Sequence, residues 1–223
     1  MTQGSERDRT SHRWRGCDYS APAGYFVPVC VAEQRCLLGR VVRGETLAHG
    51  GILSAREADE GHAAHVELSG LGRVADDCWR EIPAHFPAVV IPAHVVMPNH
   101  IHGIVQITPT PAWTAKARSA REAGAQHAAP LRGIRGVTPH NVQPGSLGAI
   151  VRSFKAAVTK RAREAGLSSE RLWQRNFHDR VLRANEWTAA LRYIHLNPLR
   201  WALDRFNPEH AGDSESEPWL EAQ

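Results

Sequence analysis

Two histidines separated by one residue, His100 and His102, are a pair of side chains whose type and spacing suggest metal chemistry. On a β-strand alternate side chains point to the same face, so the two imidazoles would lie side by side with Cα atoms about 6–7 Å apart. Such a pair can hold a metal ion, but it also occurs simply as two histidines on a half-exposed sheet. The spacing alone favours the second interpretation.

A second pair, Tyr193 and Asn197, lies four residues apart at the end of a predicted helix and therefore shares one helical face. The ordinary interpretation is a core tyrosine followed by an asparagine that stops the helix. Combined with the histidines, the pair supports a sharper hypothesis. The Tyr193 hydroxyl would attack a phosphodiester polarised by a metal that the two histidines and the Asn197 amide oxygen hold. Imidazole and amide ligands that leave coordination positions open are compatible with Mg²⁺ or Mn²⁺.

Hydrophobic patterning predicts the elements that position these residues. Strands are predicted at residues 25–32, 88–96, 100–107 and 173–183, and helices at 68–82, 147–165 and 186–197, the last capped by Asn185. An antiparallel hairpin with few helices favours an α+β fold, an antiparallel β-sheet flanked by α-helices. Pro28 in the first strand favours an edge position or a bulge.

Composition divides the chain into a polar segment at residues 1–20, one domain at 21–203 and an acidic tail at 204–223. The tail carries six acidic residues and one basic residue, and we expect it to be disordered. Residues 108–146 are rich in Pro, Gly, Ala and Arg and are predicted to form a flexible insertion in the domain. A tail of this charge would either compete with an anionic partner for basic residues of the domain or only solubilise the chain.

Length, apolar content and cysteine spacing exclude several classes of protein. With 223 residues, 42% of them hydrophobic, the chain can bury a core. No apolar run approaches the roughly 20 residues of a membrane span, and the polar start does not resemble a signal peptide, so we expect a cytoplasmic protein. Four cysteines without a CxxC pair predict reduced thiols.

A basic excess lies between residues 112 and 185, where 14 Lys and Arg face 4 Asp and Glu. Such an excess suits a polyanion, although a solvated basic surface is the simpler alternative. Most of the candidate DNA-binding residues lie off the apolar stripe of the 147–165 helix. The candidates are Arg152, Lys155, Lys160, Arg163 and Arg175.

Four separated motifs occur in an order that resembles the single-tyrosine HUH transposases. They are PNHIHG at 98–103, SFKAAVTKR at 153–161, WQRNFHDRVLR at 173–183 and LRYIHLNPLRW at 191–201. Within that group the chain is most similar to the REP-associated tyrosine transposases, whose first strand region also resembles CDYSAPAGYFVPVCV at 17–31. The resemblance covers residues 12–203 apart from 108–146. Arg180 and His178 depart from the family pattern at positions that concern DNA contacts rather than chemistry.

The resemblance implies a ferredoxin-like HUH endonuclease fold in which His100 and His102 are the metal-binding histidines, Tyr193 is the nucleophile and Asn197 completes the metal site. It implies a transposase that cuts single-stranded DNA at palindromic hairpins with Mg²⁺ or Mn²⁺ through a 5′-phosphotyrosine. The expected protein is a monomer or homodimer in the cytoplasm, associated with a bacterial nucleoid. The alternative is a catalytically silent, domesticated DNA-hairpin-binding protein of the same fold. A relaxase or replication initiator would be a longer chain.

Overall fold

The structure is a computed structural model that describes residues 18–43, 64–122, 143–168 and 170–210. Its strands are β1 (Ala23–Cys30), β2 (Gly39–Arg43), β3 (Ala64–Leu68), β4 (Val89–Val96), β5 (His100–Ile107) and β6 (Arg180–Leu182). Its helices are α1 (Gly70–Arg80), α2 (Ile82–His85), α3 (Pro111–Glu122), α4 (Leu147–Glu164) and α5 (Trp187–Leu196). Short 3-10 helices cover Ala32–Gln34, Ala184–Glu186 and Trp201–Leu203.

Four of the strands form an antiparallel sheet in the order β4-β5-β1-β6, and β2 and β3 form a separate antiparallel pair. Pro28 pairs with His102 of β5, but β6 pairs with β1 only at residues 24–26. On its β6 side, strand β1 is therefore an unpaired edge at Pro28, which explains how a proline is tolerated there.

The two faces of the sheet are covered by different helices. On one face Val27 and Val29 pack into a core with apolar residues of α1 and α4. On the other face Phe26 and Ile104 pack against Ala190 and Ile194 of α5. Because strand residues alternate between faces, His100 and His102 share the α5 face with Ile104.

The start of α5 is fixed by a buried carboxylate. Glu186 accepts a hydrogen bond from the backbone N–H of Arg183 at 2.8 Å and one from the Arg180 guanidinium at 2.6 Å. The first bond satisfies an N–H group at the entry to the helix, and the second joins β6 to it. The predicted cap was Asn185, which is wrong, because the neighbouring Glu186 provides the carboxylate.

The predicted fold class, an antiparallel sheet flanked by helices, is confirmed. The strand predicted at 173–183 is shorter than expected, since only Arg180–Leu182 pair with β1. The preceding residues make only isolated contacts at the end of β1, among them the hydrogen bond from the Gln174 N–H to the Cys30 carbonyl at 3.0 Å and the single bridge between Trp173 and Val31. Strands β2 and β3 had no counterpart in the prediction.

Two segments predicted to be irregular are ordered in part. The predicted insertion at 108–146 contains helix α3, and residues 123–142 lie outside the described residues. The first part of the predicted tail, residues 204–210, packs against the sheet, with Asp204 buried. Residues 1–17 and 211–223 lie outside the description.

Among the described residues Cys30, Cys36 and Cys78 form no disulfide; Cys17 lies outside the described residues. None of the helices in the described ranges combines the length and apolarity needed to cross a bilayer.

Candidate metal centre and nucleophile

Strand β5 places the two histidines side by side on the α5 face of the sheet. His100 pairs with Cys30 of β1, and His102 lies between Pro28 of β1 and Val95 of β4. The Phe206 and Tyr193 rings cover this face, and both imidazoles are buried, with 0% and 1% of their surface exposed. Their ring centroids are 4.4 Å apart.

The carboxylate of Asp204, which follows α5 in the chain, lies next to the two histidines. After α5 the chain turns through the Trp201–Leu203 helix and brings Asp204 onto the histidines. Asp204 Oδ1 accepts the backbone N–H of Phe206 at 2.8 Å, and Oδ2 lies 3.7 Å from His100 Nε2. One ligand atom from each of His100, His102 and Asp204 lies within 4.8 Å of the other two. These three residues could bind a metal ion.

Burial determines the charge of the two imidazoles. Burial, with a smaller repulsion from His102, lowers the pKa of His100 well below its ordinary value. Burial likewise lowers the pKa of His102 to about 3. Both rings are therefore neutral at pH 7 and offer a lone pair. The 3.7 Å approach of His100 to Asp204 is accordingly neither an ion pair nor a hydrogen bond.

Several polar atoms at this point are buried without a hydrogen-bond partner in the part of the chain that the structure describes. They are His100 Nε2, both ring nitrogens of His102, Asn197 Oδ1 and Asp204 Oδ2. Leaving a buried polar atom unpaired costs about 1–3 kcal/mol. A divalent cation would satisfy imidazole nitrogens, a carboxylate and an amide oxygen together. The residues present therefore fit a divalent metal ion.

Helix α5 carries the two other residues singled out in the sequence to the same place. The half-buried Tyr193 ring lies 5.2 Å from the His102 ring and 5.7 Å from the Phe26 ring, edge-on to both. Asn197, 2% exposed, hydrogen-bonds through its side chain to Asp204. The structure thus places Asn197 beside Asp204 and Tyr193 beside His102.

The predicted DNA-binding residues of α4 lie on the other side of the molecule. The apolar stripe of α4 packs on the sheet face opposite the histidines. The exposed residues Arg152, Lys160 and Arg163 therefore do not border Tyr193. The four-stranded sheet lies between the basic surface of α4 and the metal centre.

Lys155 and Arg175 have different surroundings. Lys155 Nζ donates hydrogen bonds to the carbonyls of Gln174 and Asn176 at 2.9 and 3.3 Å, and burial lowers its pKa to about 8. Lys155 thus holds the segment before β6 instead of projecting freely from the surface. Arg175 is exposed and follows Gln174. The backbone N–H of Gln174 donates a hydrogen bond to the carbonyl of Cys30, which pairs with His100 in the sheet. Arg175 therefore lies toward the histidine end of the sheet.

Two residues of the site were missed in the sequence because composition groups them with the acidic tail. Asp204 is one. The other is Arg205, which is exposed and has its guanidinium 4.9 Å from the centre of the Phe206 ring, itself 4.7 Å from the His100 ring. The usable signal was the pair of aromatic side chains Trp201 and Phe206, whose rings pack against that of His100.

Comparisons with known proteins find distant similarity. No family model matches the sequence. An uncharacterized protein of Haemophilus influenzae is 28% identical over 198 residues, which cover 88% of this chain and 92% of that protein. Among solved structures, a REP-associated tyrosine transposase bound to a REP hairpin is similar with a TM-score of 0.44 and 14% identity. The match covers 86% of this chain and 73% of that chain. Similarity at these levels does not assign the chain to a family.

Proposed function

We propose that the protein is a metal-dependent endonuclease and strand transferase for single-stranded DNA, a transposase whose nucleophile is Tyr193. The observation that carries the proposal is the position of Tyr193 against His102, in a buried cluster of ligand atoms without hydrogen-bond partners among the described residues. The motif resemblance to REP-associated tyrosine transposases supports the same activity.

His100, His102 and Asp204, with the Asn197 amide oxygen, would hold Mg²⁺ or Mn²⁺. When bound, the cation supplies Lewis-acid neutralisation of charge on the scissile phosphate. The neutral imidazoles are ready to act as ligands at pH 7, because burial disfavours the doubly protonated, charged form of each ring.

The chain positions the nucleophile through ring contacts and through the anchored start of its helix. The rings of Phe26 and His102 flank Tyr193, and the Glu186 network holds the start of α5. The Tyr193 oxygen forms a bond to phosphorus while the bond from phosphorus to the 3′ oxygen breaks. The departing 3′ oxygen takes up a proton equivalent to the one that the phenol loses. The products are a 5′-phosphotyrosine and a free 3′-hydroxyl, and since no water is consumed the reverse reaction rejoins a strand.

The proposed substrate is single-stranded DNA with a palindromic hairpin. Arg205 provides an exposed cation next to the histidine cluster, and Arg175 lies toward the same end of the sheet. These two residues would contact phosphates near the cleaved bond. The arginines on α4 would contact DNA only where it passes to the opposite face.

The test is a denaturing gel of the protein with labelled single-stranded DNA that carries the palindromes flanking its own gene. We expect a covalent protein–DNA band with Mn²⁺, none with EDTA and none for Tyr193→Phe. Tyr25→Phe is the matched control, since Tyr25 lies on the opposite face of the sheet and its hydroxyl donates a hydrogen bond to the carbonyl of Ala21. A band from Tyr193→Phe would disprove the nucleophile. A native-gel shift without any covalent band would support the silent hairpin-binding protein instead.

A further inference from the structure

Asn99 is a buried residue whose role the proposed chemistry does not explain. It immediately precedes His100 and is 1% exposed. Its side-chain amide nitrogen donates hydrogen bonds to the carbonyl of Gln34 at 3.0 Å and to that of Phe206 at 2.6 Å. Its Oδ1 atom lies 2.8 Å from Nδ1 of His100.

These contacts determine the tautomer of His100. Backbone carbonyls only accept hydrogen bonds, so the Asn99 NH₂ group must face Gln34 and Phe206. Oδ1 then faces His100 and can only accept, which requires the hydrogen of the neutral imidazole to be on Nδ1. The lone pair is left on Nε2, the atom 3.7 Å from the Asp204 carboxylate.

The same side chain anchors the segment that carries Asp204. Asn99 binds the carbonyl of Phe206, and Asp204 accepts the N–H of that same residue. The Phe206 ring also packs against His100 and His102, at 4.7 and 5.9 Å between centroids. One amide therefore holds both the first histidine and the backbone next to the carboxylate.

We infer that Asn99 is a positioning residue that couples docking of residues 201–206 to the metal-binding tautomer of His100. Divalent-cation binding and docking of this segment then stabilise each other. The inference rests on the metal-binding part of the proposed function. Linkage makes the effect reciprocal, because a cation that binds only the docked form must also favour docking.

The wild-type protein gives the first test. In EDTA at pH 7.5, long-range ¹H–¹⁵N spectra should show His100 with its hydrogen on Nδ1. Adding Mn²⁺ should slow amide hydrogen exchange in residues 201–210, measured by mass spectrometry. A hydrogen on Nε2 of His100 would overturn the inference. So would amide exchange in residues 201–210 that stays the same when Mn²⁺ is added.

The variant Asn99→Asp separates the two roles, since the carboxylate still accepts from His100 but cannot donate to either carbonyl. Without metal, we expect exchange in residues 201–210 to be at least about tenfold faster than in the wild type. The Mn²⁺ affinity, measured by calorimetry, should fall about 10–100-fold, as when other partners of metal ligands are removed. His100 should keep its tautomer.

Asn185→Asp is the matched control, because it makes the same change at an exposed asparagine and should leave both readouts unchanged. The inference would be refuted if Asn99→Asp had the same amide exchange in residues 201–210 and the same Mn²⁺ affinity as the wild type. None of these readouts requires DNA cleavage. A protein that cuts no DNA but shows the coupling would therefore contradict only the proposed reaction.

Discussion

The Nε2 atom of His100 lies 3.7 Å from the Oδ2 atom of Asp204, with both side chains buried. Burial keeps the imidazole neutral, so its lone pair faces an acidic oxygen across a distance too long for a hydrogen bond. Packing nevertheless holds the two atoms in place, since the Phe206 ring contacts His100 and its backbone N–H binds Asp204. A cation between them would remove this conflict. The metal-free centre is therefore a locally unfavourable part of a well-packed core.

His102→Leu tests that conclusion through stability. The substitution removes two buried ring nitrogens that have no hydrogen-bond partner among the described residues and keeps an apolar side chain of similar reach. In EDTA the free energy of unfolding should stay the same or rise by about 1–3 kcal/mol. The stabilisation by Mn²⁺ should disappear, as urea unfolding with and without metal would show. His94→Leu is the contrast, because it breaks the 2.7 Å bond to Asp76 and should destabilise. Strong destabilisation by His102→Leu in EDTA would argue against the metal centre.

Asp204→Asn tests the carboxylate as a ligand. Asparagine can still accept the Phe206 N–H, so the turn is preserved while the negative charge is lost. Ligand charge strongly affects the affinity of oxygen sites for divalent cations, and we expect Mn²⁺ affinity to fall by at least about tenfold in calorimetry. Asp77→Asn removes the same charge from the exposed surface of α1 and serves as the control. Equal affinities for the two variants would remove Asp204 from the ligand set.

Arg205→Gln tests the cation beside the histidines. In EDTA the variant should bind single-stranded DNA more weakly. The slope of log affinity against log salt concentration should become shallower by about 0.7, the value for one phosphate contact on a single strand. Arg118→Gln removes an equal charge from α3, which begins beyond the opposite end of β5. If both variants lose the same affinity, the effect is one of net charge and Arg205 has no special role.

Glu186→Gln tests the anchor of α5 through pH. Although burial raises the pKa of Glu186, hydrogen bonds from the Arg183 N–H and the Arg180 guanidinium together hold it below its ordinary value of 4.5. A carboxyl with a lowered pKa contributes stability above its unfolded-state pKa and loses it as pH falls through the folded-state pKa. The free energy of unfolding of the wild type should therefore exceed that of the variant by about 1–3 kcal/mol at pH 7. This difference should disappear as the pH falls below 4.5.

Calorimetry at several pH values measures that gap. Glu164→Gln is the comparison, because Glu164 is exposed and 3.9 Å from Lys160, and such pairs contribute about 0–1 kcal/mol. A gap for Glu186→Gln that persists unchanged at low pH would show that the carboxylate charge is not what stabilises the helix.

Local pattern predicted much of this molecule. Strand alternation placed His100 and His102 on one face, and four-residue spacing placed Tyr193 and Asn197 together, because both depend only on repeats within one element. Asp204 could not be found in this way, since it reaches the site through the return of the chain after α5. Periodicity also predicted the basic outer surface of α4. It could not predict which face of the sheet α4 covers, because that depends on topology.

The sheet also acts as a partition between two surfaces of different character. Substitutions on the outer side of α4 are separated from Tyr193 by the strands and by buried core residues such as Trp79. Under the proposed function, substitutions on that side could change how the protein contacts DNA without displacing the side chains around Tyr193. Recognition and cleavage would then be free to diverge independently among proteins built on this frame.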